Sequence, residues 1–327
     1  MPEGAAFLGR RLVHAFIVVI GITFVVAAMI RLVPGDPVDV MAAGNPGMTE
    51  ADKQTLREQL GLNQALLPGF VAYIGGALHG DLGISLRQRT AAAPLVWERL
   101  PATAELSFWA ILVSLLVAVP LGVVTALQRD RPVDYAGTVF SVLGISTPGF
   151  LLGILLILLF AVRLHVLPSS GYRGSALAAL PEGVGAFWFR FRYFILPSVS
   201  LGCALSAVNA RLMRSSMLEV LRQDYVLVAR AKGIPAWAVV MHHAMRNAII
   251  PVVTVAGLQL GTLLSGAIVT ESVFAWPGVG RLAVQAIQWR DYPLVQATVL
   301  VSAVLFVVLT LAIDFLYLAI DPRLRRE

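Results

Sequence analysis

Charge is scarce in this chain. Only 13% of its 327 residues are Asp, Glu, Lys or Arg, against roughly a quarter in a soluble domain. Apolar residues make up 58% and the mean hydropathy is +0.80, which excludes a water-soluble globule and implies a polytopic membrane protein. Cysteine is scarcer still. Cys203 stands alone inside an apolar run, so no disulfide framework is possible and the redox compartment cannot be read. The five histidines are His14, His79, His165, His242 and His243. The adjacent pair would point about 100° apart on a helix and cannot share a metal as an i, i+4 pair does. No G-x-x-x-x-G-K-[ST] loop occurs, so the chain cannot bind ATP in the P-loop manner. No Ser-His-Asp or Cys-His arrangement can be argued. A membrane-embedded enzyme therefore lacks its nucleophile or metal, and the chain is read as a non-enzyme without metal or cofactor. Any energy source comes from an ion gradient or another subunit.

Ionisable residues inside apolar runs would mark ion coupling. Asp314, Arg211, Arg214, Glu105 and Arg31 all lie towards the ends of such runs, where snorkelling or end pairing accounts for them. The apolar middles weaken a proton- or sodium-driven mechanism. The net charge of +6 does not imply nucleic acid, because the basic residues flank apolar runs as the positive-inside rule expects.

A span needs about 20 predominantly apolar residues, and a helix is required because lipid satisfies no backbone amide. Six spans are expected, at residues 12–33, 103–128, 135–162, 194–215, 249–271 and 294–320. The first is about twice the length of a signal-peptide core and lacks an Ala-x-Ala site, so it reads as uncleaved. Pro120 and Pro148 mark kinks or broken turns. Twelve basic residues (Arg10, Arg11, Arg129, Arg131, Arg214, Arg222, Arg230, Lys232, Arg246, Arg323, Arg325, Arg326) face six in the short loops opposite (Arg163, Arg173, Arg190, Arg192, Arg281, Arg290). That asymmetry puts both termini in the cytoplasm.

The expected layout is an all-α membrane protein. Residues 1–11 form a cytoplasmic tail and 12–33 the first span. Residues 34–101 form an extracytoplasmic loop with short helices. Residues 102–320 form a five-span core carrying a cytoplasmic segment at 216–248, and 321–327 form a cytoplasmic tail. Within the outer loop, "TEADKQTLREQLGL" starts like a helix at Thr49 and ends at Gly61. "LLPGFVAYIGGALHG" is apolar but too short to span. In the fifth span, Gly257, Gly261 and Ser265 make a small-xxx-small ladder whose usual meaning is helix packing.

The polar segment "DYVLVARAKGIPAWAVVMHHAMRNAIIPVV" at 224–253 breaks this apolar pattern. Asp224 suits a helix N-cap. Residues 225–232 make two turns of about 12 Å, with Arg230 and Lys232 in the last turn. Gly233 fits a left-handed C′ position. Pro235 opens a second helix that runs to Asn247, before Pro251 starts the fifth span. Eight residues are too few for a stable helix in water, so tertiary packing or a partner must hold them. Ala229 and Ala231 leave the rod thin enough to enter a groove.

The segment resembles the cytoplasmic coupling loop of ABC-transporter permeases, and more closely the first permease subunit of dipeptide, oligopeptide and nickel importers. The likeness runs along nearly the whole chain. It includes "RLVPGDPV" at 31–38, "LREQLGL" at 56–62, "GDLGIS" at 80–85, "STPGF" at 146–150, "LPSSGY" at 167–172 and "ILPSVSLG" at 195–202. "TESVFAWPGVGRL" at 270–282, "RDYPLVQA" at 290–297 and "DPRLR" at 321–325 follow in order. Against the broad importer pattern E-A-A-x-x-x-G…I-x-L-P, only Ala229 and Gly233 match its start. Leu227 stands where the Glu would be, and Pro251 falls five residues late. The peptide-importer branch resembles the chain as it stands.

This resemblance implies the six-helix type I importer permease fold with both termini inside, in a bacterial cytoplasmic (inner) membrane. It implies a second permease lining one pathway, two ATP-binding subunits that hold the ATP and Mg, and an extracytoplasmic substrate-binding protein received at the outer loop. Asp224, Tyr225, Ala229, Arg230, Ala231, Lys232 and Gly233 would carry the coupling. Di- or oligopeptides are the expected cargo; nickel, glutathione or another small solute are alternatives, as is a gradient-driven transporter. The outer-loop motifs argue against an exporter.

Overall fold

The computed structural model describes residues 2–32, 38, 49–59 and 65–320. The remainder of the outer loop, including Gly61, and the expected tail at 321–327 lie outside the described residues, as does the side chain of Asp314. Among the described residues the elements are helical, apart from one isolated bridge between Ile84 and Ala91. In chain order they are α1 (Pro2–Leu32), α2 (Glu50–Gln59), α3 (Leu66–Leu78), α4 (Ala92–Trp97), α5 (Leu100–Leu127), α6 (Pro132–Ser146), α7 (Gly149–Arg163) and α8 (Val184–Val220). They continue with α9 (Asp224–Ala231), α10 (Ala236–Ala248), α11 (Ile250–Leu264), α12 (Ile268–Val273), α13 (Val279–Gln288) and α14 (Tyr292–Ile320).

Among the described residues four stretches are long and apolar enough to cross a membrane as continuous or nearly continuous helix: Gly9–Leu32, Ala92–Leu127, Val184–Val220 and Tyr292–Ile313. Two bent pairs raise the number to six if each counts as one span. The expected third span is one of them, with α6 and α7 meeting at 99°. Thr147 is extended and Pro148 caps α7, as the steric bar on helical backbone before proline demands. The other joins α10 to α11, and only α11 falls within the expected fifth span at 249–271. Here α10 and α11 bend by 46° at Ile249, and α11 ends at Leu264, with Gly266 at φ 116° before α12 begins. The expected fourth span extends to 37 residues as α8, a helix of about 55 Å. The helix α1 runs on through Arg10 and Arg11.

Two compact units arise: residues 1–100 with 279–308, and residues 101–278 with 309–327. The first buries Leu82, Val96, Leu282, Leu294 and Val301 together, with Val26, Ile30 and Tyr73 against them. Glu50 starts α2 one residue after Thr49, whose carbonyl accepts from Lys53 N at 3.1 Å.

In the second unit α5 and α8 touch backbone to backbone. A Cβ on Gly122 would lie 2.5 Å from Met213 Cβ, and one on Gly202 would lie 2.7 Å from the Ala110 carbonyl oxygen. Such close approach is how apolar helices associate where lipid gives no hydrophobic drive. Met213, Met217, Val240 and Val252 fill the core beside that contact.

Candidate functional site

The polar segment folds locally as its residue types dictate, with shifts of one residue. Gln223, not Asp224, is the extended N-cap of α9. Asp224 occupies the first turn without a side-chain capping bond, where its carboxylate still faces the positive helix end. Lys232 is the C-cap and Gly233 follows at φ 75°. Gly233 N donates to Arg230 O at 2.9 Å and Ile234 N donates to Ala229 O at 3.4 Å, the paired bonds of a Schellman motif. Pro235 is the N-cap of α10 rather than its first helical residue.

What holds this two-turn helix is a small core of its own. Val226, Ala229 and Val239 are buried together, and Val220, Leu221 and Ile234 pack on them. Ala229 therefore faces this chain's own α10, where its small side chain serves packing within the chain, whereas the expectation was that it thins the rod for a partner's groove. A smaller side chain there lets α9 lie close to Val239. Ala231 and Arg230 point outward with Lys232. Asn247 Nδ2 donates to the Tyr225 hydroxyl at 2.7 Å, a second tie between α9 and α10. Residues 239–244 wind as one wide π turn, a form that recurs at functional sites. His242 stacks edge-on to Trp237 with ring centroids 5.7 Å apart. Among the described residues no group of His, Cys, Asp and Glu is placed to hold a metal.

The outward surface of α9 and α10 is unusually apolar. Leu227 is 51% exposed, Val228 52%, Trp237 65% and Met241 54%, in the midst of Arg230 and Lys232. Beside it a cleft of about 630 Å³ is lined by Arg129, Asp130, Arg214, Glu219, Arg222 and Asp224 among others. Arg214 grips the buried Asp134 through Nε at 2.6 Å and Nη2 at 2.7 Å, joining α8 to the start of α6. This is the end pairing expected of Arg214, in the bidentate form that carboxylates favour.

The packing ladder sits in α11. Gly257 lies against Ile313, where a Cβ would come within 3.1 Å of its side chain. Gly261 is buried, and Ser265 ends the helix, its hydroxyl donating to the Gly261 carbonyl at 3.2 Å. Between these glycines Gln259 does something the spacing did not reveal. Its amide pairs reciprocally with Asn209, at 2.9 and 3.2 Å, and Asn209 also donates to Ser114 Oγ at 2.9 Å. This network joins α5, α8 and α11 inside the apolar body. Two carboxamides within apolar runs were the available signal, since a polar group in lipid demands a partner.

Two ordered motifs also find their physical sense. Glu271 of "TESVFAWPGVGRL" is buried and accepts from Thr103 Oγ1 at 2.9 Å, and a Cβ on Gly278 would collide with its carboxylate at 2.2 Å. Trp276, wholly buried, donates Nε1–H to Ala102 O at 3.0 Å. Separately, Asp291 of "RDYPLVQA" is buried and accepts from the Ser85 hydroxyl and from the amides of Leu86 at 3.0 Å and Arg87 at 3.2 Å. It thereby clamps the end of "GDLGIS" to the start of α14.

Residues 118–326 match the family model described as the inner membrane component of binding-protein-dependent transport systems. The chain is 40% identical over 341 residues to the dipeptide transport system permease protein DppB of Escherichia coli strain K12, covering 98% of this chain and 99% of that one. It is 41% identical over 337 residues to a di/tripeptide transport system permease of Pseudomonas aeruginosa, with coverage of 98% and 99%. It is 39% identical over 307 residues to the glutathione transport system permease GsiC of E. coli O6:H1, covering 93% and 94%. Among solved structures, the fold is similar to a chain of the inward-facing MetNI methionine ABC transporter. The TM-score is 0.53 at 18% identity, over 69% of this chain and 96% of that one.

Proposed function

The chain belongs to the inner membrane components of binding-protein-dependent transport systems, and from that membership we propose that residues 224–248 receive the drive of a partner ATPase. The chain is the permease subunit of an ABC importer, a multi-pass membrane protein. The observation that carries the proposal is the Schellman-capped α9, anchored on α10 by Val226, Ala229 and Val239 while Leu227, Val228, Trp237 and Met241 stand in solvent. A soluble partner with an apolar groove would cover them, and Arg230 and Lys232 would meet its rim.

In this reading α6–α7 is one span and residues 249–271 another, with α10 left in the cytoplasm, giving six with both termini in the cytoplasm. The membrane is a bacterial inner membrane. A second, similar permease completes the pathway, and two ATP-binding subunits hold ATP and Mg. An extracytoplasmic binding protein delivers the cargo to the loop at 34–101. ATP binding rocks the bundles from inward- to outward-facing through α9, and hydrolysis resets them. The cargo is a short peptide. The relatives' own designations (dipeptide, di/tripeptide, glutathione) have that chemistry in common.

The test is uptake into proteoliposomes holding both permeases, the ATPase subunits and the binding protein. Radiolabelled dipeptide should enter in an ATP-dependent way. Unlabelled di- and tripeptide should compete and nickel should not. Uptake without the ATPase subunits, or competition by nickel alone, overturns the reading. Orientation is checked separately. In a chain lacking Cys203, a cysteine at position 63 should react with an impermeant thiol reagent from outside and one at position 223 only from inside.

A further inference from the structure

Between α3 and α4 the chain closes into a turn with Arg87, Gln88 and Arg89 at its tip. Ser85 N donates to Thr90 O and Arg89 N donates to Ser85 O, each at 2.8 Å, and Ala92 N reaches Gly83 O at 2.9 Å. From beneath, the buried Asp291 takes the Ser85 hydroxyl and the amides of Leu86 and Arg87, while Ser85 Oγ itself accepts from Gln88 N at 3.1 Å. Leu82 and Leu86 are buried below the turn. A buried carboxylate is thus given over to fixing the backbone of an otherwise exposed turn.

The tip itself is left uncovered. Arg87, Gln88 and Arg89 are exposed, and neither guanidinium makes an ion pair among the described residues. Arg89 holds φ at +56°, in the left-handed region that residues with a Cβ rarely adopt. Ile84 stands beside the tip, also exposed. Backbone held in a sparsely populated conformation by its surroundings is a mark of recognition sites. Two unpaired guanidiniums on a fixed backbone lose little freedom when they meet carboxylates.

We propose that this turn is an electrostatic docking point for an acidic patch on the extracytoplasmic binding protein. The inference rests on the importer reading and its orientation, which place the turn outside. A lipid surface is the weaker occupant. Mobile headgroups gather round any exposed arginine, whereas a folded partner with fixed carboxylates gains from a rigid turn.

The experiment uses the full complex in nanodiscs of phosphatidylcholine and its cognate binding protein, with association followed by surface plasmon resonance at two ionic strengths. R87E/R89E should assemble normally with the second permease by size exclusion. Its association rate should fall about tenfold or more at low salt, and the gap should narrow as salt screens it. R87K/R89K should keep most of the wild-type rate. Equal rates for wild type and R87E/R89E overturn the docking assignment while leaving the importer reading intact. A loss seen only when phosphatidylglycerol is present assigns the turn to the membrane and overturns it too, as does loss of the second permease. A wild-type complex whose ATP hydrolysis no binding protein stimulates removes the partner, and takes down both readings together.

Discussion

The rod at residues 224–231 and the turn at residues 83–92 are both short polar segments that would not hold a shape alone, and they are fixed by opposite means. The rod has three buried apolar side chains, Val226, Ala229 and Val239, and a glycine at φ 75° to end it. The turn has one buried carboxylate, Asp291, that gathers a hydroxyl and two amides. Apolar anchoring is non-directional, so the rod's position depends on fit and on its terminating backbone. Hydrogen bonds are directional, so the turn's shape rests on its own backbone bonds and on the acceptor Asp291 beneath them. The first leaves the rod's placement to its packing, and the second holds the turn to one form.

The turn should break hardest. Asp291→Ala removes the acceptor from four buried or partly buried donors, the Ser85 hydroxyl and the amides of Leu86, Arg87 and Leu294, a loss of about 3 kcal/mol or more. Trypsin should then cut rapidly after Arg87 or Arg89, while the wild-type turn resists. Equal cleavage rates would contradict the clamp. The rod should break next under Ala229→Asp, which forces an unpaired charge among Val226 and Val239. The cost is on the order of 3 kcal/mol, lowered where the side chain can tilt to solvent. The expected result is a complex that assembles but hydrolyses ATP without uptake.

Gly233→Val is milder and more informative. No atom lies within 4 Å of a Cβ built at Gly233, so the Cβ itself meets open space and the substitution acts chiefly on conformation, at about 1–2 kcal/mol. That is large for two helical turns and small for the whole protein. Uptake should fall relative to binding-protein-stimulated ATP hydrolysis at unchanged expression. Fully coupled transport by this variant would remove α9 from the coupling role. Smallest in stability is Leu227→Ser on the exposed face, within about 0.5 kcal/mol. Its effect should be confined to affinity for the ATPase subunits, read by co-purification. A change in thermal stability of the isolated permease would mean that Leu227 serves this chain rather than a partner.

Much of the rod was legible in advance. A Gly after a basic last turn, with Pro two residues on, is a local signal, and Gly233 takes the left-handed backbone it implies. Asp224 missed its cap by one residue, since Gln223 is extended enough to serve. The packing of Ala229 is not legible in the sequence, because a small residue reads the same whether it thins a rod for a partner or admits a neighbour inside. The ladder of Gly257, Gly261 and Ser265 is a regular spacing, and Gly257 lies against Ile313, whereas the backbone contacts at Gly122 and Gly202 have no such regular signature. The Asn209–Gln259 pair joins two helices 50 residues apart in sequence, and neither amide alone discloses the other.

Whatever depends on local composition and backbone preference is legible in the residues alone: apolar helices long enough for lipid, the proline at which the third one breaks, the glycine that ends the rod, and membership in a permease family through motifs in order. The tertiary structure alone decided the 99° bend between α6 and α7, the inward turn of Ala229, and the grip of Asp291 on Ser85, 206 residues away. The reason is physical. A residue's own φ, its hydropathy and the clash before a proline act within a few bonds. The partner of a buried carboxylate or a small side chain is fixed only when distant segments exclude water together, and that exclusion is a property of the folded chain.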